Sequence, residues 1–123
     1  MAASSARVLV LDGHPDGASL CSALAGAAAE TAQARGAEVR LVRLSAMDFD
    51  PNLAHGYQRR MEHEPDLQAL LADISWCDTF ILVHPLWWGA APAKLKGVFD
   101  RLFLPGIAFS IADVSVICRR PLA

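Results

Sequence analysis

The sequence predicts a three-layer α/β fold in which helices cover both faces of a doubly wound parallel sheet. Apolar segments alternate along the chain with segments that favour helix, without an internal repeat or a low-complexity linker. Residues 7–12 and 79–84 are almost continuously apolar, which is typical of strands buried on both faces. This alternation indicates parallel strands joined by right-handed crossovers. Ligands of such sheets bind beyond the carboxyl ends of the strands.

The first helix is predicted over residues 19–35, where alanine is frequent. Leu20, Leu24 and Ala27 follow one another at i, i+4 and i+7, so we expect them to form its apolar face. Gly36 provides the stop signal after the helix.

The next segments continue the alternation. Residues 38–43 alternate in polarity more than the first strand, which favours an edge position. A long irregular stretch follows over residues 45–64, and loops of this length are often functional. Two further helices are predicted to begin at Pro65 and Pro92, and a fourth strand is predicted over residues 113–118.

Composition predicts one soluble domain over residues 1–123, with 54% hydrophobic residues to form its core. A net charge of −2 argues against nucleic acid and anionic membranes as partners. The three cysteines are widely spaced without a CxxC pair, which argues against a disulfide framework or a zinc site and favours a reducing cytoplasm. No apolar segment approaches the length of a membrane span or of a secretory leader.

The loop over residues 13–19 is the first candidate site. It connects the first strand to the first helix, where backbone N–H groups and the helix dipole can bind a phosphate. His14 and the Ser19 hydroxyl would add donors. The spacing of Gly13 and Gly17 fits neither GxGxxG nor GxxxxGK[ST]. An ordinary strand-to-helix turn with Ser19 as N-cap therefore stays open as the alternative.

The loop over residues 85–89, with the sequence PLWWG, is the second candidate site. It follows a buried strand, and large aromatic side chains in a loop call for a covering group. A planar heteroaromatic ligand would cover such a ring. The alternative is that Trp87 or Trp88 fills the core or a subunit interface, and we expect at least one of them to do so.

The other titratable residues show no catalytic or metal-binding spacing. We expect the side chains of the middle stretch to be solvated, namely those of His55, Glu62 and His63. Lys94 and Lys96 are expected on the solvated face of the third helix, and Cys21 is expected to be a small buried thiol. Asp12 is a single acid at the end of the first strand, whereas a phosphoryl-accepting receiver domain usually has a pair.

Three segments resemble one family, the flavodoxin-like NAD(P)H:quinone oxidoreductases. The longest is PLWWGAAPAKLKGVFDRLFLPGIAF over residues 85–109, which is similar to the signature of that family. Residues 11–19 resemble its flavin-phosphate loop, and FDPNL over residues 49–53 resembles its middle segment. The resemblance extends over residues 7–111 and implies a flavodoxin-like fold.

The resemblance also implies a function. Members hold FMN or FAD non-covalently, transfer a hydride from NAD(P)H to the flavin and then reduce a quinone. They are commonly homodimers with the flavin near the subunit interface. No catalytic residue and no metal is assigned. The residues implied to bind the flavin are His14, Ala18, Ser19, Leu20, Cys21, Pro85, Leu86, Trp87, Trp88 and Gly89.

The chain also departs from the family pattern. Leu20 and Cys21 stand where members usually have Phe and Asn. Residues 112–123 do not resemble the family, whose members continue with a second flavin loop, a helix and a fifth strand. The expected strand order is therefore 2-1-3-4 with the fifth strand missing. Strand 3 would become an apolar edge if residues 113–118 did not pair with it.

Two functions follow from these observations. The first is a flavin-dependent oxidoreductase acting from NAD(P)H to a quinone-like acceptor. The second is a non-catalytic or degenerate flavodoxin-like binding subunit, expected if the chain is a truncated or frameshifted member or needs a partner chain. A Rossmann dehydrogenase is disfavoured because GxGxxG is absent. The sequence does not distinguish FMN from FAD or NADH from NADPH.

Overall fold

The computed structural model describes residues 5–107, 109–112 and 115–118, and side chains are described as far as residue 107. Strands and helices alternate as the sequence predicts. Their bounds are β1 Arg7–Asp12, α1 Leu20–Ala34, β2 Glu38–Arg43, a 3₁₀ turn Leu44–Ala46, α2 Pro65–Trp76, β3 Thr79–Val83, α3 Ala93–Leu102, β4 Phe109–Ala112 and β5 Ser115–Cys118. None of the helices in this described part is long and apolar enough to cross a membrane.

Strands β1, β2 and β3 form a parallel sheet in the order β2-β1-β3. The central strand β1 is buried from Val8 to Asp12, while β2 is half-buried to exposed, as its alternating sequence predicts. In the register, Leu9 lies beside Arg40 on one side and Phe80 on the other. Because all three strands are parallel, the loops that follow them meet at one edge of the sheet.

Two apolar cores cover the two faces of the sheet. Val8 and Val10 point towards α1 and pack against Ala25 and Ala29. The larger core lies on the opposite face between β1, α2 and α3, and its buried members are Leu9, Leu11, Leu44, Met47, Phe49, Leu67, Leu70, Leu95, Val98 and Leu102. This arrangement confirms the three-layer α/β fold.

Helix α1 packs through a different face from the predicted one. Leu20 is 75% exposed and Leu24 is 52% exposed, so the predicted apolar stripe faces outward. The buried residues of the helix are Ser22, Ala25 and Ala29. Small side chains on this face let the helix approach the valines of β1 closely, which the wider leucine face could not do.

The fourth strand does not join the parallel sheet in the described part of the chain. The predicted strand begins at Asp113, which lies outside the described residues; β5 pairs instead with β4 as an antiparallel hairpin. Two residues separate β4 from β5, which suits a hairpin, whereas a parallel crossover needs about a dozen residues or more. Within the described residues the parallel sheet therefore has the order 2-1-3, with β3 at its edge, where the sequence predicted 2-1-3-4.

Candidate functional site

The two predicted loops lie in contact. The His14 ring meets the Trp87 ring edge-on, with 5.3 Å between the centroids and 83° between the planes. Residues 13–19 follow β1 and residues 85–89 follow β3, its neighbour in the sheet. The fold therefore brings a helix N-terminus and an aromatic loop together at the carboxyl edge of the sheet.

Gly13 allows the first loop to leave the sheet close to its neighbours. Its N–H donates to the Val83 carbonyl at 2.8 Å, which joins the ends of β1 and β3. A Cβ atom at this position would lie 2.7 Å from the Leu95 side chain and 3.1 Å from the Cβ of His84. Glycine is needed here for close approach rather than for a turn.

Asp12 anchors the same loop from below. Its carboxylate is fully buried, and its Oδ1 accepts the His14 N–H at 3.1 Å. Its Oδ2 accepts the Ser22 hydroxyl at 2.5 Å and Arg43 Nη1 at 2.9 Å. A buried carboxylate requires such partners. The sequence marked Asp12 only as a lone acid, because nothing in the spacing placed Ser22 and Arg43 beside it.

Within the loop, three residues form a chain of local hydrogen bonds. Asp16 N–H donates to His14 Nδ1 at 2.8 Å, so the ring proton of His14 lies on Nε2. Ala18 N–H donates to Asp16 Oδ1 at 2.9 Å. The Ala18 N–H predicted to face a phosphate is thus engaged by the Asp16 carboxylate, whereas His14 Nε2 keeps a proton to donate.

Ser19 is the N-cap of α1, as the sequence predicts. Its Oγ accepts the Ser22 N–H at 3.2 Å and lies 3.1 Å from Ser22 Oγ. Because Ser22 donates its own hydroxyl proton to Asp12, the proton between the two serines comes from Ser19. The N–H groups of Leu20 and Cys21, the first two residues of the helix, have no intrahelical acceptor and can donate to an anion. Leu20 is exposed there, and Cys21 is half-buried rather than buried as expected.

The second loop makes a tight turn that displays both tryptophans. Trp87 and Ala90 exchange backbone hydrogen bonds at 2.9 and 3.0 Å, and φ is 53° at Trp88 and 72° at Gly89. Positive φ at both central positions is typical of a type I′ turn and unusual for tryptophan. Trp88 is fully exposed and Trp87 is 44% exposed. Neither tryptophan fills the core, so of the expected alternatives a role in a subunit interface stays a prediction.

Of the two residues before this turn, Pro85 is partly covered by the fold and Leu86 is on the surface. Pro85 is half-buried, and its carbonyl accepts His84 Nδ1–H at 2.8 Å. Leu86 is exposed beside the tryptophans. Together Leu86, Trp87 and Trp88 form an apolar surface next to His14, and we call this surface the aromatic loop.

Two residues expected in solvent are structural instead. His63 is half-buried and donates from Nε2 to the Arg101 carbonyl at 2.8 Å. Lys94 is half-buried and donates to the Met47 carbonyl at 2.8 Å. Both predictions were wrong because the middle stretch folds back over α3. His55, Glu62 and Lys96 are exposed as predicted.

Arg101 is the charged residue of α3 that sequence reasoning missed. It is 1% exposed and donates to both carboxylate oxygens of Glu64 and to the carbonyls of Asp50 and Glu62. The Arg101 hydrogen bond is the main cause that lowers the pKa of Glu64 to about 2, against an opposing effect of burial. A signal existed, since Arg101 lies three residues after Val98 on the apolar face of the helix.

A groove of about 500 Å³ lies between residues 53–61 and 104–107. Its lining includes Tyr57, Arg59 and Met61, but no residue of the two predicted loops. The groove is therefore separate from the contact between His14 and Trp87.

Known proteins resemble this chain over most of its length. The family model described as "Flavodoxin-like fold" matches residues 6–117. The uncharacterized NAD(P)H oxidoreductase YcaK of Escherichia coli is 30% identical over 110 residues, which cover 85% of this chain and 56% of that protein. NAD(P)H dehydrogenase [quinone] 1 of Cavia porcellus is 29% identical, over 86% of this chain and 46% of its own length.

A solved structure shows the same similarity. The NAD(P)H:quinone oxidoreductase from Methanothermobacter marburgensis aligns with a TM-score of 0.80 at 25% identity, over 97% of this chain and 63% of that one. The chain spans about half the length of the two curated relatives.

Proposed function

We propose that this chain, which belongs to the flavodoxin-like family, forms the flavin-binding part of an NAD(P)H-dependent oxidoreductase with a quinone-like acceptor. The observation that carries the proposal is the contact between His14 and Trp87, which joins an anion-binding helix N-terminus to an exposed aromatic loop. The names of the relatives support the choice of NAD(P)H and quinone.

The residues present fit a flavin. The aromatic loop offers a broad apolar surface to a planar ring, and Trp88 has no protein neighbour to cover it. The first turn of α1 and His14 Nε2–H offer donors to a phosphate group. Both features lie at the carboxyl edge of the sheet, where ligands of this architecture bind.

A bound flavin would supply the redox chemistry, accepting a hydride from NAD(P)H and delivering two electrons to the quinone. The chain positions it. First-turn N–H groups and His14 hold the phosphate end, while the Asp12 carboxylate holds the His14 backbone in place. Trp87 and Trp88 line the ring and exclude water from one face.

The assembly and the location belong to the same proposal. Leu20, Leu24 and the aromatic loop expose apolar side chains, which supports a homodimer in which a second copy covers them. Cys21 is a free thiol, which supports a cytoplasmic location.

A non-catalytic flavodoxin-like subunit is the second candidate. The observation that favours it is the engaged Ala18 N–H, together with exposed Leu20 at a position where the family usually has Phe. Such a subunit would bind a flavin or a partner without turnover.

Flavin titration tests both candidates. We expect FMN or FAD to quench tryptophan fluorescence at a one-to-one ratio, and NAD(P)H to bleach the flavin until a quinone is added. Trp88→Ala should weaken flavin binding about tenfold, because one stacking face is worth about 1 kcal/mol or more. Trp76→Phe is the control, because Trp76 lies on α2, where its ring is covered by the Arg40 guanidinium of β2. Binding without bleaching would favour the non-catalytic subunit, and no flavin binding would refute the oxidoreductase.

A further inference from the structure

We propose that the ion pair between Asp12 and Arg43 positions the phosphate-binding loop and makes the site select flavins that carry a phosphate group. This inference rests on the proposed function, because it concerns the same loop. Asp12 is fully buried beneath the loop, and Arg43 lies at the end of β2.

The pair joins three segments that must keep one arrangement. Asp12 ends β1 and binds the loop through the His14 N–H and α1 through the Ser22 hydroxyl. Arg43 ends β2, and its Nη1 donates both to Asp12 Oδ2 at 2.9 Å and to the Ser22 carbonyl at 3.2 Å. The guanidinium therefore fixes the distance between the end of β2 and the first turn of α1.

Charge explains why Arg43 is needed as well as Asp12. A buried carboxylate below an anion site repels the anion and offsets the positive potential of the helix N-terminus. The guanidinium of Arg43 neutralises Asp12 at a distance of 2.9 Å. The loop can then use an acid as its hydrogen-bond anchor without losing affinity for a phosphate.

Two flavins that differ in one group should respond differently to the loss of Arg43. FMN and riboflavin have the same ring, and only FMN has a phosphate. Loss of Arg43 leaves the Asp12 charge unpaired below the phosphate, so it should weaken FMN binding and spare riboflavin binding. General destabilisation of the fold would weaken the binding of both ligands by the same factor.

The experiment measures the dissociation constants of FMN and riboflavin for the whole chain and its variants by flavin fluorescence. We expect Arg43→Met to reduce the preference for FMN about tenfold. Adding Asp12→Asn to Arg43→Met should restore part of that preference, because the unpaired charge is removed. Arg40→Met is the matched control: Arg40 lies on the same strand and pairs with Asp73 on α2.

Circular dichroism and amide hydrogen exchange over residues 13–19 establish that each variant is folded. If Arg43→Met does not fold, Arg43→Lys replaces it, since lysine keeps the charge but not the fork of donors; the preference should then fall by a smaller factor. An unchanged preference for FMN in a folded Arg43 variant, or an equal loss in Arg40→Met, overturns the inference. A wild-type chain that binds neither flavin overturns the proposed function itself. This result differs from a failure of the inference, in which the wild-type chain binds both flavins.

Discussion

Gly97 lets the middle stretch pack directly against α3 because it has no side chain. A Cβ atom there would lie 2.7 Å from the Cα and 2.8 Å from the carbonyl oxygen of Pro51, and it would overlap the proline ring. These neighbours are backbone and ring atoms, which cannot rotate away. The residue is buried on α3, so the middle stretch reaches the helix only because the position is glycine.

Gly97→Ala should therefore lower the free energy of unfolding by about 1–3 kcal/mol, despite the better helix propensity of alanine. Gly26→Ala is the control of opposite sign. Gly26 lies inside α1, where a Cβ would meet Arg43 at an ordinary 3.6 Å, so stability should rise by up to about 1 kcal/mol. Urea unfolding measures both. Equal stabilisation by the two substitutions would contradict the close contact at Pro51.

Some residues could be assigned from the sequence and others could not. The Ser19 cap follows from local spacing, so the sequence was sufficient for it, whereas the turn that exposes Trp87 and Trp88 was not predicted. Apart from the His14 N–H, the partners of Asp12 and Arg101 lie 10 to 51 residues away along the chain. Such contacts depend on how elements pack, and no local pattern encodes them.

At the scale of elements, the middle stretch is fastened to α3 by charge. Arg101 donates hydrogen bonds to two carbonyls and one carboxylate of residues 50–64, and His63 donates a hydrogen bond to a carbonyl of the helix. Glu64 has one further role, since its Oε2 accepts the Asp50 N–H. The loop that the sequence left irregular is thus ordered by one buried cation.

The loss of folding stability at acid pH should depend on Glu64. Its pKa is about 2 in the fold and about 4.5 as a free side chain, so its contribution is complete above pH 4.5 and is lost as the pH falls towards 2. Glu64→Gln should lower stability at neutral pH and flatten the fall between pH 4.5 and 2. Urea unfolding at several pH values tests this, with exposed Glu62→Gln as control. If Glu64→Gln lost stability between pH 4.5 and 2 as steeply as the wild type does, the role of the Glu64–Arg101 pair would be contradicted.

Element positions were easier to predict than element faces and partners. Apolar runs located β1 and β3 within one residue of their observed ends. Helix α1 was located correctly but given the wrong face, because leucine is more apolar than alanine while packing against β1 favours the smaller residue. The β4–β5 hairpin was misassigned because four-residue strands carry no information about their pairing partner.

At the scale of the whole molecule, apolar side chains remain outside both cores. Leu20 and Leu24 are exposed on α1, and Leu86, Trp87 and Trp88 are exposed in the aromatic loop. Strand β3 adds a half-exposed Phe80 at the open edge of the described sheet. Surfaces of this kind mark contacts with other chains.

Self-association should therefore depend on α1. Leu20→Glu combined with Leu24→Glu is expected to weaken a dimer about ten-thousandfold, because the two copies together lose four buried leucines, each worth about 1.5 kcal/mol. Sedimentation velocity over a range of concentrations measures the change. Leu41→Glu on β2 is the control, since Leu41 is a partly exposed leucine on another element. A wild-type chain that is monomeric throughout, or equal weakening by the control, would contradict this role.

The small inner face of α1 also has a consequence for how the sequence can diverge. Ala25 and Ala29 leave no room for a larger side chain against Val8 and Val10. The outer face, with Ala27 and Glu30, is in solvent and bears no such constraint. Substitutions that accumulate in this helix over generations should therefore fall on one side of it, so that two distant descendants keep the same alanines and share little else there.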